Sequence, residues 1–285
     1  MEKLVLVEEG VFPITVDKQG NPLSEAPKTG WPFSGTVQGE GKLAGVPSLF
    51  VRMASCNLRC MWLLPDGNVS KCDTGYASFN VGRTLEYTVD DMVRIIARNL
   101  GDMHHVVISG GEPMLQKRPL AALCHRIKEL TGAHITIESN ATIFDADVAA
   151  HVDLVSLSPK LSNSEPNGQK LETLGLAGSG PFVYHAERRR QIEVIQKWID
   201  AMNWKAGEFQ LKFVMANPDE ETEIKEQFLA FLAGFKASDI LAMPLGASMD
   251  ELAQTTSFAL QAAVRNGWRF SPRIHIELFG CREGV

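Results

Sequence analysis

Three cysteines that lie close together in the chain, Cys56, Cys60 and Cys72, have the residue type and spacing to do chemistry. They belong to the stretch SCNLRCMWLLPDGNVSKCDTGYA (residues 55–77), with three residues between the first pair and eleven between the second. Grouped cysteines form disulfides, bind zinc, or hold an iron–sulfur cluster with one ligand missing, and buried thiols are often inert. The spacing alone leaves all four interpretations open.

The composition favours a reducing environment for these thiols. Five cysteines in 285 residues is an odd count and a low density, unlike a secreted disulfide scaffold. The start MEKLVLVEEG has acids among its first ten residues and no apolar segment typical of a secretory signal, so we expect a cytoplasmic protein. A net charge of −6 argues against general nucleic-acid binding, and no apolar run is long enough to span a membrane.

The elements that must position the cysteines alternate between strand and helix. Short β-branched runs predict strands at 48–54, 105–110, 134–139, 154–159, 209–215, 239–245 and 273–279. Helical periodicity predicts helices at 88–100, 119–130, 187–204, 220–235 and 249–267. Such alternation is typical of an α/β fold with a mostly parallel sheet, here a closed or nearly closed partial (β/α) barrel.

We expect one domain over residues 1–285, with three departures from the repeating pattern. These are an N-terminal extension (1–32), an insert between the second and third cysteines (61–71), and an insertion near 161–208, where SNSEPNG and GLAGSGP are rich in loop-forming residues. The last of these is either a lid or a solvated insertion, and we favour the insertion. The regions 10–45 and 160–182 are predicted to be irregular.

Polar, glycine or proline residues follow five of the predicted strands. They include Cys56 to Cys60, Ser109 to Pro113, Glu138 to Asn140, Ser158 to Lys160, and Met243 to Gly246. Because the carboxyl ends of parallel strands meet on one rim, these residues predict a small-molecule site there.

A cysteine trio after the first barrel strand and a Gly-Gly-Glu-Pro turn one strand later resemble the radical S-adenosylmethionine (SAM) superfamily. Its members hold a [4Fe–4S] cluster with three cysteines and leave one iron open to SAM, so a fourth cysteine is not required. Removing LLPDGNVSK would join CNLRCMW to CDTGYA as an unbroken cluster loop. The turn sequence Pro65-Asp66-Gly67-Asn68 would let the insert protrude as a small hairpin.

From residue 33 onward the chain is similar to 7-carboxy-7-deazaguanine synthases (QueE). The motifs that carry the resemblance are QGEG, CDTGYA, SGGEPMLQ, ESNAT, SPK, QLKFVM, MPLG and IHIELFGCREGV. The resemblance implies a lyase that contracts the ring of 6-carboxy-5,6,7,8-tetrahydropterin to 7-carboxy-7-deazaguanine and ammonia, on the route to queuosine. One electron from the cluster would cleave SAM to a 5′-deoxyadenosyl radical, which takes and later returns a hydrogen. It also implies Mg²⁺, a flavodoxin- or ferredoxin-type reductant and a homodimer.

Individual roles follow from the resemblance by position. The cluster ligands would be Cys56, Cys60 and Cys72, and the Mg²⁺ ligand Thr74. Residues expected at SAM are Lys71, Asp73, Gly111, Ser158, Pro159, Lys160, Met243, Pro244, Leu245 and Gly246. Residues expected at the pterin are Val37, Gln38, Gly39, Glu40, Arg52, Ser109 and Val285, with Arg52 pairing with its carboxylate.

Other functions fit less of the sequence. A glycyl-radical activating enzyme would share the cluster and the Gly-Gly-Glu-Pro turn but would not need QGEG. A zinc module would need a fourth ligand nearby, and an electron carrier usually completes four thiolates. Cys124 is expected to be a core residue and His275 a structural one, while Cys281 could serve as a redox group or fourth ligand.

Overall fold

The computed structural model describes residues 2–78, 81–176, 180–280 and 282–285. Its strands are β1 (Lys3–Phe12), β2 (Thr36–Val37), β3 (Pro47–Met53), β4 (Met61–Leu63), β5 (Val69–Lys71), β6 (Thr84–Thr88), β7 (His105–Gly110), β8 (His134–Ser139), β9 (Leu154–Leu157), β10 (Glu208–Met215), β11 (Ile240–Pro244) and β12 (Arg269–Phe270). Its helices are α1 (Gly75–Ser78), α2 (Val89–Asn99), α3 (Lys117–Thr131), α4 (Ala146–His151), α5 (Gly168–Thr173), α6 (His185–Arg188), α7 (Ile192–Trp204), α8 (Glu220–Glu223), α9 (Met249–Asn266) and α10 (Ile274–Phe279).

Most strands form one sheet in the order β12-β11-β10-β9-β8-β7-β3-β1-β6, with β2 paired to β3. Within this order, every neighbouring pair between β3 and β12 is parallel. Strand β1 pairs antiparallel with both β3 and β6. The two outermost strands do not pair with each other in the described sheet, so the predicted barrel is open. The α/β class and the mostly parallel sheet are as predicted.

Helix boundaries follow ordinary capping chemistry. Thr88 accepts a hydrogen bond from the Asp91 N–H at 3.1 Å and starts α2, as the sequence predicts. Ser248 caps α9 in the same way through the Glu251 N–H, and Gly267 ends that helix in the left-handed conformation (φ 66°).

One apolar core lies between the sheet and its helices. The buried side chains of β3, β7 and β8 pack against apolar faces of α2, α3, α7 and α9. Cys124 belongs to this core and is fully buried, as predicted. No helix in the described ranges is long and apolar enough to cross a membrane.

The predicted strand at 273–279 is wrong, because this segment forms α10. The alternation in RIHIELF is typical of a strand, but short segments of this kind are ambiguous between the two structures. Pro272, which has no N–H to donate to a sheet, follows the short strand β12 and separates α10 from the sheet.

Two predicted helices are interrupted. The helix predicted at 187–204 divides into α6 and α7, because the backbone leaves the helical region at Gln191 (φ −123°, ψ 73°). The helix predicted at 220–235 begins as α8 but continues as a π-helical turn (Ile224–Phe228) and a 3₁₀ turn (Leu229–Phe231). Since α7 connects β9 with β10, the last part of the expected insertion, from residue 192 onward, belongs to the repeating unit.

The N-terminal extension is not wholly irregular. Its residues 3–12 form β1. The polar and apolar residues of this strand do not alternate regularly, because its pairing register with β3 shifts between Leu6 and Val11. The insert 61–71 forms a hairpin from β4 and β5, as predicted, and its turn residues 65–68 are exposed. Trp62 and Leu64 are buried against Leu58 and Leu245, so the base of the hairpin packs inward.

Candidate active site

The carboxyl ends of the parallel strands surround one large pocket. Cys56, Cys60 and Cys72 all line it, although Cys72 is separated from Cys60 by the β4–β5 hairpin. The hairpin makes this possible because Met61 pairs with Lys71 at its base, which returns the chain to its starting point. The prediction that the interrupted cysteine motif forms one site is therefore supported by the pocket.

The three thiols are unbridged and surrounded by polar donors. Cys56 Sγ accepts from the Leu58 N–H at 3.4 Å and from Asn140 Nδ2 at 3.7 Å. Burial raises the pKa of all three thiols, that of Cys56 to about 11. A thiol of this kind becomes a thiolate when it coordinates a metal centre. Within the described ranges, no group of three or more His, Cys, Asp or Glu side chains is gathered closely enough to hold a single metal ion.

The Gly-Gly-Glu-Pro turn after β7 holds the cysteine loop in place. The N–H groups of Gly111 and Glu112 donate to the carbonyls of Met53 and Ser55 at 3.0 and 2.8 Å. A Cβ on Gly111 would lie 2.1 Å from the Ser55 oxygen, so a glycine is needed here for contact with the protein's own backbone. The buried Glu112 carboxylate accepts from Ser139 Oγ at 2.9 Å and from the Asn140 N–H at 2.7 Å, which joins the ends of β7 and β8.

A buried charge network forms a second wall of the pocket. Both carboxylate oxygens of Glu40 are paired, one with Lys212 and the other with Arg273 Nε at 2.9 Å. Burial would raise the pKa of Glu40, but these two cations outweigh it and hold that pKa well below its usual range. Arg273 also donates to the Gly246 carbonyl and to Asp73, so it links three loops that reach the pocket.

Arg52 differs from these paired charges. Its guanidinium lies over the rings of Phe12 and Tyr76, 5.2 and 5.8 Å from their centroids, and it faces the pocket. Its Nε is buried without a hydrogen-bond partner, and no carboxylate in the described part of the chain pairs with it. A partly buried cation in this state is suited to an anionic ligand.

No family model matches the chain. It is similar to 7-carboxy-7-deazaguanine synthases of Rhodopirellula baltica (34% identical over 248 residues, 87% of this chain and 85% of the relative) and Halobacterium salinarum (34% over 249 residues, 86% and 87%). The chain belongs to the 7-carboxy-7-deazaguanine synthase family. QueE from Escherichia coli shares the fold, with a TM-score of 0.54 and 21% identity over 83% of this chain and 89% of that one.

The residues that the family resemblance predicts are brought together almost completely. All of them line the pocket except Pro159 and Pro244, which are buried beside lining neighbours. Ser158 Oγ accepts from Lys160 Nζ at 2.8 Å. Val285 reaches the same pocket, whereas Cys281 lies outside the described residues. The roles of the individual residues at SAM, Mg²⁺ and pterin stay predictions.

Some pocket residues of this synthase-family chain, among them Lys212 and Arg273, were missed by the sequence analysis. Lys212 lies inside the apolar strand β10, and a charge at such a position was the available signal, whereas Glu138 is one of the strand-end residues that the sequence analysis expects at the site. Gln38 Nε2 donates to Glu138 Oε1 at 3.1 Å, so this acid contacts the same QGEG turn that carries Glu40. His275, expected to be structural, lines the pocket 3.8 Å from Glu40, and a Cβ on Gly39 would overlap its ring.

Proposed function

We propose that this chain converts 6-carboxy-5,6,7,8-tetrahydropterin to 7-carboxy-7-deazaguanine and ammonia as a radical SAM lyase of the queuosine pathway. The observation that carries the proposal is one pocket lined by three free cysteines, by an arginine that forms no ion pair, and by the half-buried acids Glu40 and Glu138. Family membership supports the same reaction. A glycyl-radical activating enzyme has no specific feature of this pocket in its favour.

The residues present fit a [4Fe–4S] cluster. Cys56, Cys60 and Cys72 would hold it, since they are unbridged thiols around a common space and thiolates are the ligands that iron–sulfur clusters require. With SAM, such a cluster supplies a carbon radical that abstracts hydrogen from substrate. Asn140 Nδ2, the Leu58 N–H and Thr74 Oγ1 would orient the sulfurs, Thr74 at 3.3 Å from Cys72 Sγ.

SAM would lie between the cysteine trio and the ends of β7, β9 and β11. Lys71, Asp73, Gly111, Ser158, Lys160, Met243, Leu245 and Gly246 are the predicted residues that face this space. Lys160 would pair with the SAM carboxylate, since its ammonium reaches the pocket rim and Ser158 holds it there. Gly246 adopts φ 157°, a conformation that L side chains rarely take, so the turn presents backbone to the pocket.

The pterin would be oriented by charge at both ends. Arg52 would bind its carboxylate, because this guanidinium lacks a partner of its own. Gln38, Glu40 and Glu138 would accept hydrogen bonds from the N–H groups of the pterin's guanidine-like edge. Since both oxygens of Glu40 already pair with cations, Glu138 is the acid with more accepting capacity left. Val37, Gly39, Ser109 and Val285 complete this part of the pocket.

Thr74 would give one oxygen to Mg²⁺, with substrate and water oxygens completing the shell that this hard ion prefers. Its hydroxyl lines the pocket beside Cys72, so a metal bound there would lie between cluster and substrate.

We further propose a cytoplasmic homodimer reduced by a flavodoxin- or ferredoxin-type protein. The family resemblance is the support for these three statements.

The reaction is tested by anaerobic reconstitution with iron and sulfide, then incubation with SAM, Mg²⁺, a reductant and the carboxylated tetrahydropterin. We expect ammonia and the deazaguanine product in equal amounts. Gln38→Ala and Glu138→Ala should reduce turnover while leaving iron content unchanged. A brown, fully loaded protein that cleaves SAM but releases no ammonia from this pterin would refute the substrate assignment.

A further inference from the structure

The described residues of the segment 161–191, which are 161–176 and 180–191, brace the cysteine loop through side chains rather than through a sheet. Asn163 provides the first brace, because its amide exchanges two hydrogen bonds with the backbone of Leu63. The Leu63 N–H donates to Asn163 Oδ1 at 3.2 Å, and Asn163 Nδ2 donates to the Leu63 carbonyl at 3.3 Å. One side chain thus pairs with β4 as a neighbouring strand would.

His185 provides the second brace, between the first two cysteines. Its Nδ1 accepts from the Arg59 N–H at 3.1 Å, so the neutral ring carries its proton on Nε2 and donates to Ser164 Oγ at 3.1 Å. Burial, aided by nearby cations, lowers the pKa of His185 to about 3, and the ring stays neutral. The backbone of Arg59 is thereby fixed from behind.

Lys170 provides the third brace, and its side chain also carries a positive charge. Its side chain is 3% exposed, and its ammonium donates to three backbone carbonyls: those of Met61 at 3.1 Å, Glu165 at 2.9 Å and Asn163 at 2.5 Å. All three of its donors are therefore used. No carboxylate in the described ranges forms an ion pair with it.

The position of this ammonium is close to a predicted cluster ligand. Met61, whose carbonyl it binds, directly follows Cys60. Lys170 interacts electrostatically with Glu165, which is itself paired with Arg189, and with Glu220 and Cys60. Burial lowers the pKa of Lys170 to about 8, which leaves the side chain mainly protonated at pH 7. The reduction potential of an iron–sulfur cluster depends on net charge and hydrogen bonding around it. A buried cation that forms no ion pair favours the more negative, reduced state.

We propose that Lys170 is a positioning residue that fixes the root of the β4–β5 hairpin and, through its charge, makes a cluster on Cys56, Cys60 and Cys72 easier to reduce. The inference rests on the proposed function, because it requires the cluster. It gives the segment 161–191 a role in electron acceptance, in place of the lid or solvated insertion that the sequence suggests.

The test compares Lys170→Arg, Lys170→Gln and Lys170→Met in the anaerobically reconstituted full chain. Iron and sulfide are counted, and the cluster is titrated at pH 7 by electron paramagnetic resonance without SAM or substrate. We expect Lys170→Gln and Lys170→Met to lower the equilibrium constant for one-electron reduction about tenfold, a shift of about 59 mV to more negative potential. Lys170→Arg, which keeps the charge, should stay close to the unmodified protein.

Lys197→Met is the matched control, since it removes an exposed lysine from the following helix α7 and should leave the potential unchanged. Equal potentials for Lys170→Gln and Lys170→Arg would overturn the inference while the proposed function stands. Loss of the cluster in every Lys170 variant, Arg included, would also overturn the inference, because a variant that keeps the charge would then fail to keep the cluster. Failure of the unmodified chain to take up iron would refute the proposed function and this inference with it.

Discussion

Replacing Arg273 tests whether the charge network sets the shape of the pocket. Arg273 is 7% exposed and contacts Glu40, the Gly246 carbonyl and Asp73, each on a different loop. A lysine would keep the charge but lack the planar fork that reaches several acceptors at once. We therefore expect Arg273→Lys to lower the free energy of unfolding and to loosen the turn that carries Glu40.

The size of the effect follows from what each partner keeps. Because lysine keeps the charge, the loss is that of hydrogen bonds to charged groups, which typically contribute about 1.5–3 kcal/mol each. Glu40 still pairs with Lys212, and Asp73 is partly exposed, so water replaces part of its lost contact. The expected destabilisation for Arg273→Lys is therefore about 2 kcal/mol.

The assay is denaturant unfolding of the apo chain, combined with KM for pterin and for SAM in the loaded enzyme. We expect KM for the pterin to rise about tenfold, which corresponds to about 1.4 kcal/mol. Arg269→Lys is the control, because Arg269 is exposed on β12 and binds only the Ser238 carbonyl among the described residues. An Arg273→Lys variant with the stability and both KM values of the unmodified chain would refute the reasoning.

Four further predictions concern single sites. Arg52→Met should raise KM for the pterin by about 10–100-fold, the value of one charge-assisted hydrogen bond, with little change in unfolding free energy, and an unchanged KM would contradict its role. Thr74→Ala should raise the Mg²⁺ concentration needed for half-maximal turnover, and an unaltered metal dependence would remove that ligand. Gly111→Ala should destabilise the chain by about 1–3 kcal/mol and reduce iron uptake, since its Cβ would overlap the Ser55 oxygen; full iron content would contradict this. Burial, with the neighbouring His134, lowers the pKa of His105 to about 4, so the unfolded state takes up this proton first and stability is lost as pH falls from about 6.5 towards 4. His105→Gln should reduce that acid-dependent loss by roughly 3 kcal/mol in unfolding experiments at a series of pH values, and an unchanged pH dependence would be the contrary result.

The sequence predicts the rim of this site better than its interior. Residues that follow strands, such as Ser158 and Gly246, are recognisable because polar and glycine residues after a β-branched run mark a strand end. Lys212 and Arg273 escape recognition for a physical reason: their partners are distant in sequence, so only the folded sheet shows that each faces Glu40. The family resemblance supplies the roles of individual residues, which spacing alone does not.

The errors in secondary structure have equally local causes. RIHIELF alternates as a strand does, yet it follows Pro272 and forms α10. The hairpin was expected to protrude because PDGN is a turn sequence, and these four residues are exposed, while the apolar Trp62 and Leu64 direct the base of the hairpin into the protein. Side-chain burial thus decides how far the hairpin protrudes, which the turn residues alone do not.

The way the cysteine loop is anchored has a consequence for the order of events in the cell. Ser70 on the hairpin donates to Glu251 at 2.9 Å, and Asp73 pairs with Arg273, so the third cysteine is held by residues almost two hundred positions further along. A ribosome that has released only the cysteines has not yet made their anchors. A cluster on these cysteines would therefore find its finished site only after translation has passed Arg273.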